Sequence, residues 1–121
     1  MVDLDLERAK RLLKSAEDLL DRGDLQGIAG LAYQAFESAN IALLKKKNGC
    51  DQKSHFGRRK RAKELLSQFE EKIDGLWKIR NIDFYGNAIM DGEEEEINQD
   101  EVKEGIDVVR KIIKEIEQLL N

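Results

Sequence analysis

An apolar stripe with helical periodicity ends the chain and most constrains its fold. Apolar residues recur every three or four positions over residues 102–120, which is the period of an amphipathic helix. They are Val102, Ile106, Val109, Ile112, Ile113, Ile116, Leu119 and Leu120. Asn98 and Glu101 precede the stripe with capping-box spacing, although Asn replaces the usual Ser or Thr. The pattern predicts a long final helix that packs by one face.

The rest of the chain predicts further helices and no strand. The expected helices run over about residues 3–21, 25–47, 55–69 and 70–84. The 121 residues contain no proline, whereas average usage would give about six, so helices can run uninterrupted. We therefore expect residues 1–121 to form one domain, an all-α, antiparallel four- or five-helix up-and-down bundle.

The second predicted helix differs from the others because its side chains are mostly small. Alanine, glycine and serine alternate with larger apolar residues along it, and Tyr33, Glu37 and Asn40 share one flank. Small side chains let neighbouring helices approach closely. We expect this helix to lie at the centre of the bundle.

Charge is unevenly distributed along the chain. The net charge is −4, which argues against nucleic-acid binding through overall charge. Residues 45–63 nevertheless carry nine Lys or Arg against one acid, whereas residues 91–104 carry eight acids against one base. We expect the acidic run at 93–96 to be a solvated loop. The basic run at 58–63 is either a solvated face or a phosphate-binding patch.

Cysteine and histidine content limits the chemistry. One cysteine, Cys50, excludes an internal disulfide and fits a reducing cytoplasm. One cysteine and one histidine also exclude a Cys/His zinc cluster, and we expect no metal and no cofactor. The chain shows no signal peptide and no apolar run long enough to span a membrane. These features predict a cytoplasmic protein without a membrane partner.

Three segments and the final helix together resemble the HEPN domain, named for higher eukaryotes and prokaryotes nucleotide-binding. The segments are AYQAFESANIALL at 32–44, KSHFG at 53–57 and IRNIDFYGN at 79–87. The resemblance implies a helical bundle that forms a homodimer, with functional residues facing a cleft between subunits. It also implies binding of RNA or a nucleotide, and a toxin–antitoxin-like, two-component system with a nucleotidyltransferase.

Active HEPN proteins are metal-independent ribonucleases with an Arg-x(4–6)-His motif, and this chain departs from that motif. Arg80 and Asn81 match its beginning, but Tyr85 stands where the histidine is expected. Arginine can bind a phosphate with two hydrogen bonds, but it cannot transfer a proton. Tyrosine, with a pKa near 10, is a poor base at neutral pH. We therefore expect a non-catalytic or degenerate RNA- or nucleotide-binding domain.

The candidate ligand-binding residues come from two segments. They are Arg80, Asn81 and Tyr85 from the motif region, and Arg58, Arg59 and Arg61 from the basic run. Arg80 falls in one helical stripe with Ile73, Trp77 and Phe84, so we expect that stripe to face a dimer cleft. With only Phe56 and Phe69 near the basic run, base stacking like that of an RRM is not expected.

Two alternatives stay open from the sequence. In the first, the protein is an endoribonuclease that uses Arg80, with His55 or Tyr85 in place of the motif histidine. His55 is the only histidine, and histidine titrates near neutral pH. In the second, the chain is a dimeric helical interaction module without a ligand. Whether the protein is an enzyme stays undecided at this point.

Overall fold

The computed structural model describes residues 3–23, 25, 27–48, 54–85 and 99–121, with only the backbone described for Asn48, His55 and residues 82–85. Within these residues the chain forms five α-helices, one 3-10 turn and no strand. The helices are α1 (Leu4–Asp21), α2 (Ile28–Asn48), α3 (His55–Leu65), α4 (Glu70–Tyr85) and α5 (Gln99–Leu120), and the 3-10 turn is Ser67–Phe69. The expected all-α bundle is confirmed. The expectations about Cys50, Asn98 and the run at 93–96 lie outside the described residues.

Side-chain caps begin two of the helices. The Asp3 carboxylate accepts a hydrogen bond from the Leu6 amide at 3.1 Å, and the Ser54 hydroxyl accepts one from the Gly57 amide at 2.9 Å. Each cap satisfies an amide that the first helical turn leaves without a partner. The Ser54 cap fixes where α3 starts, and therefore where its basic residues lie.

The third helix is shorter than its sequence pattern predicts. It ends at Leu65, because Leu66 leaves the helical region with φ −122° and ψ 54°. The Leu66 side chain is fully buried, so core packing ends the helix there. The 3-10 turn then leads directly into α4.

The second helix is central, as its small residues predict. Nearly every side chain from residue 28 to residue 44 is buried, and Gln34 is the exposed exception. Ala35 and Ala39 have no exposed surface, which lets the surrounding helices approach closely. The helices α1, α3, α4 and α5 all pack against α2.

Helix directions follow from ion pairs between α1 and α5. Lys10 pairs with Glu117 at 2.7 Å, and Arg110 pairs with Glu17 at 2.7 Å, so the two helices run antiparallel. Exposed pairs of this kind contribute little to stability. The apolar stripe of α5 is buried from Val102 to Ile116, as the sequence predicts, whereas Leu119 near its end is 37% exposed.

The buried face of α4 is rotated from the expected one. Ile73, Leu76 and Ile79 form the buried stripe, whereas Trp77 and Arg80 are half-buried beside it. Of the residues expected to share a stripe with Arg80, Ile73 is buried and Trp77 is half-buried. Arg80 lies at the edge of the core, where α4 meets α2.

Candidate functional site

Two arginines share one tryptophan ring where α2, α3 and α4 meet. The guanidinium carbon of Arg59 lies 4.3 Å from the Trp77 ring centroid, and that of Arg80 lies 4.8 Å from it. The Tyr33 ring packs on Trp77 at 5.3 Å between centroids. Aromatic faces attract cations, but two positive groups beside one ring also repel each other. We call Tyr33, Arg59, Trp77 and Arg80 the arginine–tryptophan cluster.

Arg58 has a different environment from its neighbour Arg59. Its Nε and Nη2 donate to the two carboxylate oxygens of Glu37 at 3.3 and 2.9 Å. The Asn40 amide donates to the Arg58 carbonyl oxygen at 2.9 Å. Because the side chains of Arg58 and Glu37 are only 13% and 10% exposed, removing one partner would cost about 3–5 kcal/mol. Arg58 therefore anchors α3 to α2.

Two buried polar atoms beside the cluster lack a hydrogen-bond partner among the described residues. They are Nη1 of Arg59 and Oδ1 of Asn40. The Nε of Arg59 lies 3.9 Å from the Asp74 carboxylate, which also accepts a hydrogen bond from Lys63 at 3.0 Å. A buried donor without a partner is costly. Arg59 also has a side-chain hydrogen bond with Tyr33, and only the 14% of its side chain that is exposed is open to an external anion.

Among the described side chains around the cluster, positive charges outnumber negative ones. Cations come from Arg58, Arg59, Lys63 and Arg80, whereas the carboxylates that pair with them are Glu37 and Asp74. The first turn of α3 contains no acid, so the positive end of its dipole adds to this field. The cluster can hold an anion.

Tyr33 is held in its neutral form. Burial raises the pKa of Tyr33 to about 12, and the Glu37 carboxylate contributes to the rise, while Arg59 and Arg80 oppose it. A tyrosine with this pKa keeps its proton at neutral pH. Tyr33 therefore cannot serve as a base near pH 7, and its fully buried ring supports the cluster by packing on Trp77.

The structure brings together only part of the predicted site. Arg59 and Arg80 meet at Trp77, and Arg80 Nη1 donates to the Asn81 side-chain oxygen at 3.0 Å. Arg61 instead pairs with Glu64 at 2.7 Å, one turn along the same helix.

The two proton-transfer candidates are placed by backbone alone. His55 is the first residue of α3, three positions before Arg58, and Tyr85 is the last residue of α4, five positions after Arg80. Their side chains lie outside the described part of the structure. Helix α3 thus starts, and helix α4 ends, within a few residues of the cluster arginines in the sequence. The catalytic roles of His55 and Tyr85 stay predictions.

Sequence reasoning missed the aromatic contribution to the site. Phe56 is 66% exposed, and the guanidinium carbon of Arg59 lies 5.8 Å from its ring centroid. Trp77 was expected to pack in one helical stripe with Arg80, and base stacking near Phe56 was not expected. The signal was present, because Phe56 and Arg59, like Trp77 and Arg80, are three residues apart on one helix face.

The described residues contain no group of three side chains able to hold a metal ion. They also contain no helix long and apolar enough to cross a membrane. The fold and the site thus define a helical bundle with a cationic, aromatic-lined cluster beside its central helix.

Comparison with known families agrees with this description. The family model described as HEPN domain matches residues 2–119. The chain belongs to the HEPN domain family, whose members are generally connected with nucleotides or RNA. Searches of curated proteins and of solved structures find no significant match.

Proposed function

We propose that this protein binds RNA or a nucleotide by gripping phosphate with Arg80 and Arg59. The single observation that carries the proposal is the placement of both guanidinium groups within 5 Å of the Trp77 ring centroid. Both guanidinium groups carry a permanent positive charge, so a phosphate at the edge of the cluster would be attracted by both. The Arg59 side chain is 14% exposed, and that exposed part of the guanidinium would offer the phosphate a second charged donor.

The proposed role is binding without cleavage. In this reading Asn81 orients the Arg80 guanidinium, as their 3.0 Å hydrogen bond suggests. Tyr85 takes the position of the motif histidine and contacts the ligand, while Arg58 holds α3 in place and Arg61 adds to the positive field. The absence of the motif histidine after Arg80, where Tyr85 stands instead, supports a non-catalytic site.

The proposed assembly is a homodimer in which the cluster faces the partner subunit. HEPN domains often dimerise, and the position of Arg80 at the edge of the core suits a shared cleft. The protein would act in the cytoplasm as one component of a toxin–antitoxin-like system with a nucleotidyltransferase. Residues 1–121 would form a single domain in this assembly.

An RNA-binding measurement with three arginine variants tests the proposal. The variants are Arg80→Ala, Arg59→Ala and, as a matched control, Arg110→Ala. Arg110 lies on α5 and pairs with Glu17 and Asp107, so the control removes the same charge and comparable ion pairs away from the cluster. Fluorescence anisotropy would follow binding of a labelled single-stranded RNA, and circular dichroism would check folding.

We expect Arg80→Ala and Arg59→Ala each to weaken RNA binding by about tenfold or more, because each removes a charged hydrogen-bond donor. Arg110→Ala should leave the affinity within about twofold of wild type. An equal loss in all three variants would show that only overall charge matters, which contradicts the proposal. If the wild-type protein bound neither RNA nor a nucleotide, the remaining hypothesis would be a helical interaction module without a ligand.

The same RNA samples, resolved on a denaturing gel, test for cleavage. Under the proposal, neither wild type nor Arg80→Ala cleaves the RNA. Cleavage by wild type that is lost in folded Arg80→Ala would establish a ribonuclease instead. His55 and Tyr85 would then be the candidates for the base.

A further inference from the structure

An exposed aromatic ring stands directly beside the proposed anion site. Phe56 is the second residue of α3 and is 66% exposed. Scattered exposed apolar residues are ordinary on protein surfaces. The position of Phe56 is different, because the Arg59 guanidinium carbon lies 5.8 Å from its ring centroid and 4.3 Å from that of Trp77. Arg59 thus connects the exposed ring to the cluster.

We infer that Phe56 stacks against a nucleobase and that the ligand is a nucleotide with an unpaired base. The inference rests on the proposed phosphate binding by Arg59 and Arg80. A phosphate held by Arg59 would place its attached nucleoside beside the Phe56 ring. Phenylalanine has no hydrogen-bonding group, so its ring contributes stacking without reading a particular base. The bases of duplex RNA are stacked on each other and cannot use such a ring.

The arrangement provides one ring for one base. Trp77 and Tyr33 pack against each other and against the arginines inside the cluster. Phe56 is the most exposed of the three aromatic residues, because Trp77 is half-buried and Tyr33 is buried. Phe56 would therefore make the protein bind single-stranded RNA more tightly than duplex RNA.

Three variants and three probes test this assignment. Phe56→Leu keeps an apolar side chain without a π-face, whereas Phe56→Tyr keeps the ring. Leu4→Ala is the matched control, because Leu4 is 75% exposed and begins α1. The probes are a labelled oligoadenylate of about ten nucleotides, an abasic ribose-phosphate strand of the same length, and an RNA duplex. Anisotropy gives the affinity of each.

We expect wild type to bind oligoadenylate more tightly than either the abasic strand or the duplex. Phe56→Leu should weaken oligoadenylate binding by about tenfold, the size of one lost base stack, and change abasic binding by less than about twofold. Phe56→Tyr should restore the affinity, and Leu4→Ala should resemble wild type.

Equal losses for oligoadenylate and the abasic strand in Phe56→Leu would overturn the assignment, and so would a wild type without preference for bases. A change in sedimentation of Phe56→Leu, with unchanged base preference, would make Phe56 a subunit contact instead. Binding that depends on Arg80 but not on Phe56 would sink this inference alone. Failure of wild type to bind any probe would reject the proposed function as well.

Discussion

Arg58 and Arg59 are adjacent in sequence but serve different purposes. Arg58 forms a buried, two-point ion pair with Glu37, whereas Arg59 stacks on Trp77 and leaves a buried Nη1 atom without a partner among the described residues. Successive residues on a helix point about 100° apart, so neighbouring arginines reach different surroundings. Substitution of Arg58 would mainly test folding, and substitution of Arg59 would mainly test binding.

Tyr33 should make the stability of the protein sensitive to alkaline pH. Its pKa is about 12 in the folded chain and about 10 when unfolded. Between these values the unfolded chain loses the proton while the folded chain keeps it, so stability falls as pH rises. The Tyr33 contribution is complete below pH 10, and up to about 3 kcal/mol is lost by about pH 12.

Urea unfolding of wild type and Tyr33→Phe across this pH range measures the effect. Tyr33→Phe should lack the Tyr33 part of the alkaline decline, while the lysine contributions common to both proteins remain. Parallel declines in the two proteins would show that the phenol ionises as easily in the folded chain as in the unfolded one.

At the scale of the helices, periodicity alone predicted most of the fold. The α5 stripe and the small residues of α2 specify their packing directly, because side-chain size and spacing decide what a helix can bury. Two features could not be predicted in this way. The end of α3 depends on burial of Leu66, and the rotation of α4 depends on which apolar residues meet α2 and α5.

The candidate site was predicted less completely than the fold. The arginines were recognisable as phosphate-binding side chains from their type and from the family resemblance. Their partners were not, because Glu37 and Trp77 lie far from Arg58 and Arg59 in sequence and meet them only through packing. Periodicity places a residue on a helix face but does not identify the neighbour across the interface.

Gly75 lowers the stability of α4. It is an exposed residue in the interior of the helix, and a Cβ atom added there would meet nothing within 4 Å. Gly75→Ala should therefore stabilise the protein by about 1 kcal/mol, which corresponds to a rise of about 4 °C in melting temperature. A thermal melt followed by circular dichroism at 222 nm, a wavelength that reports helix content, measures it.

Gly105 on α5 provides the comparison. A Cβ atom there would lie 2.9 Å from the Cδ1 atom of Ile79 and 3.4 Å from Cδ2 of Leu76. Gly105→Ala gains the same helix propensity but forces Ile79 to move, so its melting temperature should rise less than that of Gly75→Ala. A larger gain at Gly105 would mean that helix propensity is not the controlling effect.

At the scale of the whole molecule, the proposed homodimer predicts an unusual response to salt. Sedimentation at tens of micromolar should give about twice the chain mass of 13.9 kDa. Because the shared cleft would bring two positively charged clusters together, added salt should screen their repulsion and strengthen the dimer. A monomer at these concentrations would contradict the shared cleft between subunits. Dissociation of the dimer by added salt would show that the cationic clusters do not lie at the subunit interface.

Trp77 is the only tryptophan of the chain, and both arginines of the cluster lie against its ring. The intrinsic ultraviolet emission of the protein therefore comes chiefly from one known point. Indole emission responds to nearby charge, so an event that moves either guanidinium group should change the wavelength or the intensity of the Trp77 emission. The molecule carries a built-in optical sensor of its own cluster, readable without any attached dye.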